Sequence, residues 1–579
     1  MLTGLVVRNF KQFGDVEIEL GSPVVFIGPN NSGKTSAMQA LVLWSIGLKR
    51  WNERRGGASV PEKRPGVTVN RRDLMAIPVP SANLLWRELH TRNVHKVDGR
   101  QRTANVRIEI IVAGIGHEGE WQCGLEFDYA NEESFYCRPL RLDDGATPSR
   151  MAVPDAAAAV KFAFLPPMSG LAATETRLDR GAVDVRVGEG RTAEVLRNLC
   201  FQVHEQHRDR WQDLTERIKM LFGAEIEPPR YVQERGEITM RYREQGVWLD
   251  LSSSGRGLQQ TLLLLAYMHA NSGAVLLLDE PDAHLEILRQ RQIYQLITEA
   301  AEESGSQIIA ASHSEILLNE AAGKDTVVAF VGAPHRIDDH GSQVLKALRE
   351  IGFEQYVQAE QTGWVLYLEG STDLAILRAF AHRLGHDRAV RALDRPFVHY
   401  VGNQLPKARS HFFGLREALA DLRGVVILDA DAGGESGGDL ECLLWRKREI
   451  ENYLCSRATL EAYAEASARG IAAGPLFEEP EVVRRREAMR EAIAEVERAM
   501  ATLGRGSPWD ADAKVSDDFL DPVFAEYFER LNVQNLMLKR SFHELVDRVP
   551  ADETDPEISE KLDAIARTAE AASPADTTP

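Results

Sequence analysis

The chain has 579 residues, 44% of them hydrophobic and 27% charged, with 87 Asp and Glu against 68 Lys and Arg for a formal net charge of −19. That length exceeds what one core supports and implies two or three domains, while the acidic balance excludes indiscriminate nucleic-acid coating and leaves only a local basic groove open. No apolar run approaches the ~20 residues that cross a bilayer, the opening MLTGLVVRNFKQF carries no secretory pattern, and five scattered cysteines form no C-x-x-C pair. A cytoplasmic chain with reduced thiols, no zinc site and no membrane association is therefore expected.

Leu2 to Val7 and Val16 to Leu20 read as short strands, and the polar Arg8-Asn9-Phe10-Lys11 between them as a turn placed to lie near a nucleotide base. Pro23 to Ile27 is an apolar run of buried-strand length, followed by Gly28-Pro29-Asn30-Asn31-Ser32-Gly33-Lys34-Thr35. This fits G-x-x-x-x-G-K-S/T at every fixed position. The glycines let the backbone wrap a phosphate with Asn30, Asn31, Ser32 and Gly33 around it, Lys34 reaches the β- and γ-phosphates, and the Thr35 hydroxyl is placed for Mg²⁺. The helix that follows, Ser36 to Leu48, turns its positive end toward the anion. Lys49 to Arg72 is basic and rich in Gly and Pro, an expected exposed loop; Val106 to Val112 and Trp121 to Tyr129 alternate as strands do. Residues 155 to 165 read as an alanine-rich stretch ending in a buried strand. From Gly188 to Glu227 apolar residues recur at three and four, so a helical arm or lobe packed on the core is expected, within an insertion over about 155–235.

A second half of the nucleotide machinery follows. Leu251-Ser252-Ser253-Ser254-Gly255-Arg256-Gly257 opens an apolar helix, and small hydroxyl residues with glycine at a helix start favour an anion. Ala274 to Leu278 is a buried strand ending in Asp279 and Glu280, about 245 residues after the phosphate loop. Asp279 can hold the metal through water, and Glu280 can orient and deprotonate the attacking water. Ser306 to Ala311 forms another strand, whose end places His313 to contact a γ-phosphate. Alone, each of these is an ordinary strand end. In this order the series resembles the ATP-binding-cassette ATPases of the SMC and RecF kind, over roughly residues 1 to 335. That resemblance implies that Ser254 and Gly255 of one subunit close over ATP held by another, although SSSGRG departs from the family's LSGGQ.

Val365 to Leu368 is a further strand, ending at Glu369, and Gly370-Ser371-Thr372-Asp373 begins a helix; about 55 residues on, Gly424 to Leu428 ends in Asp429-Ala430-Asp431. Parallel strands that present acids at their C-terminal ends offer oxygen ligands suited to Mg²⁺ or Mn²⁺, and such a metal can activate water for phosphodiester cleavage. The pattern resembles a Toprim domain, and the combination resembles the OLD-family nucleases, which include the nuclease subunit of the Gabija phage-defence system. The resemblance implies metal positions at Glu369, Asp373, Asp429 and Asp431, a further acid in Glu449-Ile450-Glu451-Asn452-Tyr453 with Glu451 preferred, and a late catalytic lysine with Lys539 first and Lys514 second.

The expected fold is α/β, with an ATP-binding-cassette-type ATPase over 1–340, a Toprim nuclease over 360–548 and an acidic tail over 549–579 that frays after one helix, Pro556 to Ala571. The implied function is an ATP-hydrolysing, metal-dependent DNA endonuclease in anti-phage defence. It would act as a homodimer or higher oligomer, with a helicase-like or other defence protein as an implied partner. A different class of reading makes the second domain a toxin acting on tRNA or another RNA. A structural SMC-like organiser ranks last, because no stretch between the ATPase halves sustains heptads.

Overall fold

The computed structural model describes the chain except residues 56–65, 98–99, 118, 143–148, 169–170, 323, 338–350, 433–438, 470–474 and 574–579. Two units divide it, residues 1–349 and 350–575.

The first unit holds two six-stranded sheets. One is antiparallel and contains β1 (Leu2–Phe10), β2 (Phe13–Glu19), β4 (Val67–Asn70), β5 (Arg107–Gly116), β6 (Gly119–Asn131) and β7 (Ser134–Pro139), in the order β2-β1-β5-β6-β7-β4. The other contains β3 (Val24–Ile27), β8 (Phe162–Leu165), β9 (Val275–Asp279), β10 (Gln307–Ser312), β11 (Thr326–Ala329) and β12 (His335–Arg336), in the order β8-β9-β10-β3-β11-β12. It is parallel up to its last pair. Strands β3, β9 and β10 are buried at every position, as expected of a parallel sheet covered on both faces.

Helix α1 (Lys34–Arg55) contributes side chains to one core shared with both sheets, and Ala40 to Trp44 are buried without a break. A helix apolar on all sides belongs in a core; the Trp44 indole N–H, which needs a partner there, donates to the Cys123 carbonyl at 2.9 Å. The helix outruns the expected end at Leu48 because Leu48 and Trp51 are also buried. The rest of the expected basic loop, from 56 to 65, lies outside the described residues.

Within residues 155–235 the helices pack on the core, but the first part belongs to the central sheet and not to a helical insertion. Phe162–Leu165 pairs in parallel with β9 and so is an edge of the central sheet. Helices α2 (Leu196–Gln206) and α3 (Arg208–Phe222) pack against α4 (Arg256–Ala270), with Leu199, Val203, Leu214 and Ile218 buried. The three-and-four spacing marked helices correctly; their apolar stripe is covered by α4, which is itself buried along most of its length.

The second unit is built on a four-stranded parallel sheet of β13 (Trp364–Leu368), β14 (Val398–Tyr400), β15 (Arg423–Leu428) and β16 (Leu440–Leu444), in the order β14-β13-β15-β16. β13 and β15 are adjacent and in register, Tyr367 opposite Val426, so their C-terminal ends reach one edge together. Residues 549–573 are not a tail. Helix α5 (Pro556–Glu570) places Ile558, Leu562 and Ile565, spaced by four and three, fully inside the core of this unit. Its Lys561 ammonium donates to the Leu444 carbonyl at 2.7 Å, and its Glu557 accepts the Arg446 N–H at 3.0 Å.

All five cysteines are free thiols. Among the described residues no helix is long and apolar enough to cross a membrane.

Candidate functional site

The phosphate loop joins β3 to α1. Asn31 (φ 64°) and Gly33 (φ 107°) take left-handed backbone, and a side chain at Gly33 would strike the Gln12 amide at 2.4 Å and the Phe13 ring at 2.9 Å. The tip of the β1–β2 hairpin therefore braces the loop, and the Ser36 hydroxyl donates to Gln12 Oε1 at 3.3 Å. Gln12 is a contributor that the sequence reading passed over. The Lys34 ammonium, 6% exposed, donates to the carbonyls of Gly28 and Pro29 at 2.7 Å each. Burial pushes its pKa down, opposed by the charges of Asp279 and Glu280. The buried Ser32 hydroxyl has no hydrogen-bond partner. A cation, an orphan hydroxyl and a helix N-terminus together present unspent donors to an anion.

Beside the loop, the Thr35 hydroxyl donates to Asp279 Oδ2 at 2.9 Å, which ties the phosphate loop to the end of β9. Burial pushes the Asp279 carboxyl up, and Thr35 partly offsets this. Glu280 sits at φ 51°, its N–H donating to the Ala311 carbonyl at 2.9 Å, and its Oε1 lies 3.5 Å from His313 Nδ1. The loop, Asp279, Glu280 and His313 are thus gathered at the C-terminal ends of β3, β9 and β10. Asp282, also buried, accepts from the Ser312 hydroxyl at 2.9 Å and fixes the turn after the acidic pair.

Ser254 does not offer its hydroxyl outward. It is buried, donates to the Leu251 carbonyl at 2.7 Å, and its own carbonyl accepts from Gln259 at 2.9 Å. Gly255, exposed with open space around it, caps α4, while the exposed hydroxyls are those of Ser252 and Ser253. Ser252 is bonded to Asp250 at 2.6 Å. Ser253 is therefore the outward-facing serine, one residue before the one read from the sequence.

In the second unit Glu369 follows β13 and Asp429 follows β15, and their carboxyls come within hydrogen-bonding reach. Burial, then the Glu369 contact and the charges of Asp373 and Glu449, push the Asp429 pKa far above the carboxylate range. Asp373 is turned onto the start of its own helix (Ser371–Arg383), accepting from the N–H groups of Glu369 and Gly370 at 3.0 and 3.3 Å; burial raises it to about 6. Glu451, 4% exposed, is raised to about 8 by burial and by the charges of Glu449 and Asp373. Asp431 is not brought into this group. It is exposed and accepts from Asn403 Nδ2 at 2.6 Å. No three His, Cys, Asp or Glu side chains among the described residues are arranged to hold a metal ion as they stand. The acids are close enough to repel without converging, because Asp373 and Asp431 are bonded elsewhere.

Lys539 and Lys514, the two lysine candidates, meet at Asp517 at 3.1 and 2.6 Å. Lys539 also donates to the Ser516 hydroxyl at 3.1 Å, and Ser516 in turn donates its N–H and hydroxyl to Glu449 at 2.5 and 3.1 Å. Ser516 opens a π-helical turn, Ser516–Leu520, a form that recurs at functional sites. Asn403 and Ser516 were missed in the sequence, and Glu449 was placed there second to Glu451. Only the Gly402-Asn403 pair carries a local signal, both residues having positive φ at 57° and 55°.

Residues 178–319 match a family described as "AAA domain, putative AbiEii toxin, Type IV TA system", and residues 1–46 match one described as "AAA ATPase domain". The first unit is an ATPase domain of this broad type, and its phosphate loop is a nucleotide site. No curated relative matches the chain. Among solved structures, an SMC head bound to the C-winged helix domain of ScpA is 12% identical over 58% of this chain and 97% of that one, with a TM-score of 0.35. The SMC head domain from Thermotoga maritima is 17% identical over 58% and 98%, TM-score 0.29. An Smc head with extended coiled coil, bound to the C-terminal domain of ScpA derived from Pyrococcus furiosus, is 14% identical over 60% and 99%, TM-score 0.35.

Proposed function

We propose that the chain is an ATP-dependent, divalent-metal-dependent DNA endonuclease of the OLD kind, acting against phage and assembled at least as a dimer. In this reading the first unit hydrolyses ATP and the second, a Toprim domain, cuts DNA. The observation that carries it is the pairing of Glu369 and Asp429 at adjacent parallel strand ends, with Glu449 and Glu451 buried beside them and Lys539 tied to Glu449 through Ser516.

On the ATPase side, Lys34 turns its donors from the Gly28 and Pro29 carbonyls to the β- and γ-phosphates, and Ser32 gains the partner it lacks. Thr35 and Asp279 would hold Mg²⁺, Glu280 would take the proton of the attacking water, and His313, 3.5 Å from Glu280, would orient it.

On the nuclease side the donors are all carboxylate oxygens, and burial together with neighbouring acids raises Asp373, Asp429 and Glu451 among them, which is the chemistry of a hard-cation site. Glu369 and Asp429 would hold Mg²⁺ or Mn²⁺, with Asp373 and Glu451 the further acids, while Asp431, bonded to Asn403, stands outside the set. A cation bound there supplies Lewis acidity and an activated water. Lys539 places a positive charge beside Glu449 and Glu451, where charge develops on a phosphate.

Plasmid DNA and structured RNA incubated with purified protein, with Mg²⁺ or Mn²⁺ and with or without ATP, test the reading. Metal-dependent DNA cleavage is expected, together with protection of a phage-sensitive bacterial host expressing the chain. Intact DNA under every condition overturns it. A second reading, an ATPase joined to an RNA-directed toxin, draws support from the toxin named in the family description over residues 178–319; cleavage of RNA alone would select it.

A further inference from the structure

Beside the second unit's carboxylates lies a pocket of about 300 Å³ lined by Ala430, Asp431, Arg446, Arg448, Ala511 and Asp512. Its backbone is stitched to the strand end that carries Asp429. The Ala430 N–H donates to the Arg448 carbonyl at 3.1 Å, the Arg448 N–H donates to the Ala511 carbonyl at 2.7 Å, and Asn403 Oδ1 accepts the Asp429 N–H at 3.1 Å. Arg448 is thereby fixed at its main chain relative to Asp429, while its guanidinium is weakly held. Nη1 reaches the Asp512 carbonyl only at 3.4 Å, and Nη2 stands 3.9 Å from Asp431 Oδ2. Asp431's close partner is Asn403, at 2.6 Å. The other arginine of the pocket is engaged, Arg446 donating to Glu560 at 2.6 Å.

A guanidinium has five donors in a planar fork and binds a phosphate through two at once. One so loosely occupied, anchored by its backbone next to Asp429 and facing a pocket of this size, is fitted to a phosphate. We propose that Arg448 binds a phosphodiester of the DNA strand next to the one cut, and that Asp431 holds it in reserve until the strand arrives. The inference rests on the nuclease reading and names the substrate contact that the acids cannot make. It also accounts for Asp431 standing apart from the other acids. Bonded to Asn403 and 3.9 Å from Arg448, it offsets part of the positive charge there.

The test is fluorescence anisotropy of a fluorescein-labelled DNA duplex with the full-length chain, over a NaCl series, in a Glu369→Ala background that does not cut. Arg448→Gln is expected to weaken binding roughly tenfold at low salt and to lower the slope of log Kd against log salt by about one, as loss of one phosphate contact does. Arg448→Lys restores part of both, and Arg388→Gln, an exposed arginine already paired with Glu570, changes neither. Asp431→Asn tightens binding when Arg448 is present and has no effect once it is Gln, the coupling a shared pair requires. Unchanged melting temperatures exclude misfolding. If the parent cuts DNA while Arg448→Gln keeps its affinity and salt slope, the phosphate seat is overturned and the nuclease reading stands. If the parent neither binds nor cuts DNA, the nuclease reading falls and the seat falls with it.

Discussion

Lys34 is buried and donates to two carbonyls of its own loop, so its charge is available only where a phosphate displaces them. Lys34→Ala should abolish saturable binding of a fluorescent ATP analogue, since no other cation stands in the loop; unchanged affinity would remove the assignment. Glu280→Gln keeps shape and hydrogen bonding and loses only the base, so it should bind ATP yet hydrolyse it roughly a hundred- to ten-thousand-fold more slowly. The acids of the second unit carry a pH signature. Asp373 at about 6 and Glu451 at about 8 are raised above the ordinary 3.8 and 4.5 by burial and by neighbouring carboxylates, Glu369 beside Asp373 and Glu449 with Asp373 beside Glu451. A raised carboxyl means that the folded state holds more protons than the unfolded chain between the two pKa values. The metal-free protein therefore loses stability as pH rises from the carboxylate range to about 8. Mg²⁺ should restore what is lost, most strongly at the upper end. Melting temperatures from pH 5 to 8.5 (about the window in which these groups titrate), with and without Mg²⁺, decide the matter; Glu451→Gln should flatten the metal-free curve, and a flat wild-type curve would contradict the clustering.

At the scale of elements, α5 shows how a local reading errs. The segment after residue 549 is acidic and ends in Ala, Thr and Pro, which reads as a fraying end, yet its Ile558, Leu562 and Ile565 lie fully inside the core. An apolar stripe tells that a helix is amphipathic without telling whether a partner surface waits for it. Leu562→Ala should cost about 2–5 kcal/mol in the second unit, as truncation of a fully buried leucine does. The denaturant midpoint of a second-unit transition measures this, and a shift under half a kcal/mol, the range typical of exposed positions, would return the helix to the surface. Glu570, which a tail would leave idle, instead pairs with Arg388 at 2.6 Å, an exposed pair whose loss should be nearly silent.

For the whole molecule, the proposed function puts its two chemistries in different units, so they should separate by mutation. Asp429→Ala or Glu369→Ala should remove cleavage and leave ATP hydrolysis nearly intact, because each strips a ligand and a charge that the remaining oxygens cannot replace. Lys34→Ala should silence hydrolysis without disturbing metal-induced stabilisation of the second unit. Plasmid cleavage and phosphate release on the same folded variants provide the check; equal loss of both activities in Asp429→Ala would make the acids structural. Where hydrolysis needs two subunits, mixing Lys34→Ala with Ser253→Arg chains should recover part of it through one intact composite site. Co-assembled mixtures that stay inactive would refute a shared site.

Local chemistry was legible in the chain alone. A phosphate loop, buried strands ending in acids and their order follow from residue types at short spacing, because a β-strand and its terminal turn are defined within a few residues. Thr35 and Asp279, 244 positions apart, are expected to meet because each is assigned to the same Mg²⁺, a link of chemistry and not of spacing. What spacing does not carry is direction. Ser254 and Ser253 look alike in sequence, but the turn after Asp250 buries one and exposes the other. Asp429 and Asp431 form one D-x-D pair, but an asparagine from the neighbouring connection takes hold of the second acid and parts it from the first. Hydrogen bonds between segments remote in sequence settle which side chain faces inward, and only the folded chain brings those segments together.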